Sequence, residues 1–122
     1  MSVIVTDSGF AADDLPAGAF VTLPSDTDPA TLAGINAEAV AVEFPFFADG
    51  RGFTLARALR DAGFTGRLRA RGHVIADQYA MARRNGFDEV EITDDLAARQ
   101  PEPQWIARAD WQSHNYQARL RG

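Results

Sequence analysis

The sequence predicts an α/β fold: a single small domain of about four β/α units around a parallel sheet, either half-barrel-like or a small open sheet. Short apolar runs alternate along it with amphipathic stretches. Two units end alike, in Ala62-Gly63-Phe64 and Asn85-Gly86-Phe87, with glycine just past a helix and phenylalanine just before a strand. Glycine takes the left-handed conformation that closes a helix, and the next apolar side chain folds back over the last turn. Gly63 and Gly86 are 23 residues apart, a reasonable period for one β/α unit. At 122 residues and 46% hydrophobic content, the chain has material for one core.

Residues 1–17 read as an N-terminal arm and 18–122 as the domain, with 103–122 an aromatic C-terminal helical segment. Ala19–Leu23 is the first expected strand. Asp28-Pro29 then starts a short helix, the acid as N-cap and proline in the first helical position, and this helix ends near Gly34. Ala39–Phe44 is the clearest strand, a nearly continuous apolar run suited to burial on both faces. Pro45–Gly52 reads as a loop. Phe53–Ala62 reads as a helix with Leu55, Leu59 and Ala62 on one face. Arg67–Arg71 is a strand, Val74–Arg84 a helix with Ile75, Tyr79 and Ala82 inward, and Glu89–Ile92 a further strand. Asp94 or Asp95 opens a last helical region, broken by Pro101 and Pro103 and resumed over Trp105–Leu120. Trp105 is expected to pack over the sheet. Trp111 is open between packing and a docking surface, and Tyr116 adds to the aromatic content of this tail. A half barrel leaves two sheet edges, to be covered by the C-terminal segment or in a homodimer.

Composition excludes several functions. With no cysteine there is no disulfide scaffold, thiol redox centre, thiolate zinc site or iron–sulfur cluster held by this chain alone. His73 and His114 show no metal-ligand spacing, and no dinucleotide fingerprint, P-loop or nucleophile elbow is present, so no cofactor is expected. No apolar run is long enough for a membrane span and Met1–Val5 lacks the features of a secretion signal, which points to a cytoplasmic protein. The net charge is −5, and all twelve basic residues are arginine. Eight of them fall within residues 51–84, a segment of net charge +6, whereas residues 1–50 carry −8. An arginine-rich centre in an acidic chain suits a localised anion site better than nucleic-acid binding.

The pieces Val42-Glu43-Phe44-Pro45, Asp49-Gly50-Arg51-Gly52, Leu55-Ala56-Arg57 with Leu59-Arg60, Leu68-Arg69-Ala70 with Gly72, Asp77-Gln78, and Arg84 with Gly86-Phe87-Asp88 follow one another in order. Together they resemble a bacterial family of unknown function, described as a candidate oxidoreductase of sulfite reduction and encoded beside sulfate-assimilation enzymes. The chain departs from that family's pattern at Phe46-Phe47, where a basic residue is usual, and at His73, where an acid is usual. The resemblance implies a role in assimilatory sulfur metabolism, with sulfite reductase or another enzyme of that pathway as partner. Redox chemistry does not follow from the residues, and would need a borrowed cofactor or partner.

Ligands of parallel sheets and barrels sit at the carboxyl ends of the strands. Asp49, Gly50, Arg51 and Gly52 lie there, after the best strand and before a helix. The glycines permit close backbone approach, the helix start favours an anion, and Arg51 offers a bidentate grip. The same turn serves structure alone if Asp49 caps the helix and Arg51 pairs with an acid. Arg69 and Arg71 share a strand face, with Gly72 beyond them, and a core-facing arginine must be paired or hold a ligand. Arg57, Arg60, Arg84 and Gln78 complete the candidate binding set. Asp77 reads first as an ion-pair partner of Arg69, Arg57 or Arg60 and second as a catalytic acid. His73 is a candidate general acid/base, or a helix-start residue with no chemical duty. Three functions follow: an accessory protein of sulfite reduction that holds a small oxyanion or the reductase; a small β/α enzyme acting on an anionic metabolite; and a structural interaction module whose arginines pair with the acidic ends of the chain.

Overall fold

The computed structural model describes residues 2–13, 19–35, 37–47 and 50–109. Six strands form one sheet: β1 (Ser2–Thr6), β2 (Gly9–Ala11), β3 (Val21–Leu23), β4 (Ala39–Phe44), β5 (Arg67–Gly72) and β6 (Glu89–Thr93), in the order β2-β1-β6-β5-β4-β3. Strands β3 to β6 are parallel and lie side by side in chain order, the arrangement of consecutive β/α units. Successive crossovers of one hand place the helices described below on one face. The core there draws on Leu32 from a 3-10 helix (Pro29–Gly34), Leu55 and Leu59 from α1 (Arg51–Asp61), Tyr79 and Ala82 from α2 (Tyr79–Arg84), Leu96 from α3 (Asp94–Arg99) and Trp105 from α4 (Glu102–Ile106). They pack on Val40, Val42, Leu68, Ala70, Val90 and Ile92 of the strands.

Strand alternation sends every second residue to the other face. That face carries Ala39 and Ala41 of β4, Arg67, Arg69 and Arg71 of β5, and Glu89 and Glu91 of β6, aligned as Ala41–Arg69–Glu89 and Glu43–Arg71–Glu91. Among the described residues, no helix of the core packs on it. Instead, Phe20 packs with Ala39 and Ala41, and the Arg69 guanidinium lies 4.2 Å from the Phe20 ring centroid.

Local signals act as their chemistry requires. Asp28 accepts a hydrogen bond from Ala30 N–H (2.9 Å), with Pro29 in the first helical position. Gly63 and Gly86 have φ of 100° and 108°, and behind them Phe64 N–H donates to the Leu59 carbonyl (3.0 Å) and Phe87 N–H to that of Ala82 (3.1 Å). The two unit ends are thus one capping motif used twice.

Five expectations change. Residues 1–17 are not an arm throughout: β1 and β2 form a hairpin across Asp7-Ser8, and β1 pairs antiparallel with β6. The alternation of Ser2-Val3-Ile4-Val5-Thr6 lets Val3 and Val5 face the core side while Ile4, only 1% exposed, faces the other. The hairpin, rather than the C-terminal segment, covers the β6 edge, and Glu102 of α4 accepts from Phe10 N–H (2.7 Å) on the outermost strand. The helix expected over 74–84 begins later, as a 3-10 turn (Ala76–Gln78) running into α2, because Ile75 is extended and the Gln78 side chain caps its N–H (3.0 Å). Helix α1 starts at Arg51, inside the expected loop. The helix expected over Trp105–Leu120 opens earlier, at Glu102, and its expected run past residue 109 lies outside the described residues. Trp105 packs as expected, 1% exposed, edge-on to Tyr79 and donating to the Gln100 carbonyl (2.8 Å). Trp111, His114, Tyr116 and Asp49 lie outside the described residues. No helix among the described residues is long and apolar enough to cross a membrane.

Candidate functional site

Strands β3, β4 and β5 end side by side, and the chain beyond each end contributes to one cleft of about 490 Å³. Ser25 and Asp26 come from the turn after β3, Glu43, Phe44 and Pro45 from the end of β4, Arg71, Gly72 and His73 from the end of β5, and Arg51 from the start of α1. This is the carboxyl edge of the parallel sheet, where ligands of such folds are held.

Two glycines shape the cleft by steric demand. Gly72 has φ 118°, and a Cβ there would stand 2.7 Å from the Phe44 carbonyl oxygen, so the turn out of β5 requires glycine. A Cβ on Gly52 would run into the Phe44 ring, so Gly52 serves packing of α1 on β4 rather than approach to a ligand. Gly50 caps α1 with ordinary helical angles and has open space where a side chain would be.

Arg51 Nη2 donates to Ser25 Oγ (3.2 Å), which joins the start of α1 to the turn after β3. Arg71 donates through Nε to Glu91 (3.2 Å) and through Nη1 to Thr22 Oγ1 (3.2 Å), so its stem is fixed and its second terminal nitrogen makes no hydrogen bond within the described residues. Phe47 packs edge-on to the His73 ring at 5.1 Å. The ring nitrogens of His73 and the carboxylates of Glu43 and Asp26 likewise have no hydrogen-bond or ion-pair partner among the described residues. Gln78, although outside the cleft lining, donates to the Phe47 carbonyl (2.6 Å) and so ties the loop after β4 to the segment after β5. A smaller cavity of about 240 Å³ adjoins across Gly72 and His73, lined further by Thr93, Asp95 and Arg99.

Of the arginines expected at the rim, the cleft gathers Arg51 and Arg71. Arg69 is wholly buried on the strand face, bonded to Glu89 (2.5 Å), Glu91 (2.9 Å) and Asp13 (3.1 Å). Burial works against its charge, but the three carboxylates outweigh this and raise its pKa. Arg67 extends the same ladder to Glu89 (2.7 Å). Arg60 sits at the opposite, amino edge of the sheet, where it donates to the carbonyls of Gly86, Phe64 and Gly66 and to Asp88, fastening the turns that feed β5 and β6. Arg57 donates to the Arg84 carbonyl (3.2 Å) at the end of α2. Asp77 pairs with none of the expected arginines: its partner is Arg108 (2.7 Å), both side chains are more than half exposed, and the pair lines a separate cavity.

Sequence reasoning missed Ser25, Asp26 and Glu43 as lining residues. Glu43 had a signal, since it follows Ala39 and Ala41 at the period of two and lies one residue before the end of the best strand. Ser25 and Asp26 had none beyond a turn-rich composition. Comparison with curated proteins and with solved structures gives no match. Residues 20–122, all of the sheet except the N-terminal hairpin, match the family described as a bacterial protein of unknown function (DUF934), and the chain belongs to that family.

Proposed function

We propose that this protein is an accessory protein of assimilatory sulfite reduction, and that its rim cleft holds a small acid, either an oxyanion or a metabolite bearing a sulfonate, phosphate or carboxylate. The resemblance to sulfur-assimilation proteins supports the pathway. One observation carries the binding: guanidinium groups from two separate segments, Arg51 and Arg71, line the same cleft at the carboxyl edge of the sheet. Guanidinium groups grip oxyanions through parallel N–H donors, and the helix that starts at Arg51 adds its positive end. Pairing with acids from the chain's own ends accounts for Arg69 and Arg83, so the proposal is confined to the two arginines of the cleft.

Titration of the purified protein with sulfite, sulfate and phosphate at low ionic strength tests the binding. Chemical-shift changes should map to residues 24–26, 43–45 and 71–73 and weaken several-fold in Arg71→Ala. Growth of a deletion strain tests the pathway: rescue by sulfide but not by sulfite supports it, and normal growth on sulfate removes it.

A second reading, a small β/α enzyme acting on an anionic metabolite, is favoured by His73 and Glu43. Both line this cleft, and neither side chain has a hydrogen-bond or ion-pair partner among the described residues, as a proton carrier awaiting substrate would require. Asp77 lies in another cavity and is not part of it. In that case His73→Asn abolishes turnover of an anionic metabolite while its binding persists.

A further inference from the structure

The cleft is not simply basic. Among the described residues, two guanidiniums, Arg51 and Arg71, share it with two carboxylates, Asp26 and Glu43. A bare dianion placed against the guanidiniums meets like charge at the same time. Glu43 is the better placed of the two acids, because it lies one residue before the end of β4 in direct register with Arg71 of β5. Arg71 turns to Glu91 and Thr22 rather than to Glu43, which leaves an exposed carboxylate in the cleft with no partner among the described residues. Two guanidiniums and a carboxylate with no hydrogen-bond or ion-pair partner among the described residues, lining one cleft, match a ligand that carries both signs of charge.

We infer that the ligand of this cleft is a small zwitterion, an amino acid in the wide sense, whose acid group sits on Arg51 and Arg71 and whose ammonium group sits on Glu43. This rests on the reading of the cleft as a site for an acid group, and it names the class of that acid. Glu43 is then the residue that selects an amino-substituted acid over the plain one.

The test uses matched probes on the purified full-length protein at low ionic strength: taurine against ethanesulfonate, and homotaurine against propanesulfonate. An ion pair in contact with solvent contributes up to about 1 kcal/mol, or roughly fivefold in affinity. At least one aminosulfonate should therefore bind about fivefold tighter than its matched sulfonate. Glu43→Gln should erase that preference, weakening the zwitterion and strengthening the plain sulfonate. This substitution removes no hydrogen bond or ion pair among the described residues, so the fold should persist, and an unchanged thermal melt checks it. Equal binding within both pairs, or a preference that survives Glu43→Gln, overturns the inference while leaving the acid site standing. Failure of all four probes together with sulfate and phosphate overturns both.

Discussion

Arg69→Met replaces a fully buried guanidinium by an apolar chain of similar length and so removes one member of the Arg–Glu ladder on the strand face. Breaking a buried ion pair costs about 3–5 kcal/mol, because the remaining charge stays buried and unpaired. Here the carboxylates left behind are not stranded. Glu89 retains Arg67 at 2.7 Å and Glu91 retains Arg71 at 3.2 Å. Asp13, with 33% of its side chain exposed, regains solvent. The loss therefore falls at the lower end, about 3 kcal/mol. With an unfolding entropy of about 2.1 cal/mol/K per residue, a chain of 122 residues loses about 12 °C in Tm. Urea unfolding and a thermal melt followed by circular dichroism measure both quantities. Adding Glu89→Leu closes a double-mutant cycle, and the coupling should reach 1–3 kcal/mol in roughly the range found for contacting residues. A loss below about 1 kcal/mol in Arg69→Met, or no coupling, would refute the view that this ladder holds that face of the sheet together.

Three further outcomes follow from the same contacts. Tyr79 is wholly buried and donates to Asp7; burial first, then the bond and charge of Asp7, push its pKa well above the ordinary value of about 10. The native state thus holds the phenol proton more tightly than the unfolded state does, so this contribution is complete below about pH 10 and is lost as pH rises beyond it. Melting temperature should fall above pH 10, and less steeply in Tyr79→Phe. Gly72→Ala combines a left-handed backbone with a Cβ against the Phe44 carbonyl, which should cost about 1–3 kcal/mol and weaken anion binding by displacing Arg71 and His73. Arg60→Ala strands three carbonyls at the amino edge and should lower stability by about 1–3 kcal/mol in urea unfolding, with anion affinity unchanged because the cleft lies at the other edge.

Much of the architecture was legible because it rests on local chemistry. Asp28-Pro29, the twin Gly-Phe endings and the apolar run of Ala39–Phe44 each act within a few residues, where backbone sterics and hydrogen-bond satisfaction leave few alternatives. The parallel order of β3 to β6 followed from short connections and crossover handedness. The candidate site was legible as a place, the carboxyl edge, and in four of its lining residues: Arg51, Arg71, Gly72 and His73. The N-terminal hairpin was not, since a two-residue turn between short runs is marginal alone and gains its stability from pairing with β6, about 90 residues later in the chain.

The fate of the arginines marks the boundary between the two levels. Sequence alone determined that a strand reading Arg-Leu-Arg-Ala-Arg sends its charges to one face and its apolar residues to the other, because alternation is a property of the extended backbone. Which charge would meet which partner was decided only by the tertiary structure. Ion pairs have no sequence spacing of their own, so Arg69 found Asp13 from 56 residues away and Glu89 on the neighbouring strand. Arg60, which sequence placed among the ligand-binding arginines, turned instead to backbone carbonyls at the far edge. Strand register and helix docking, set by burial of the opposite face, left Arg51 and Arg71 to share the cleft with Glu43.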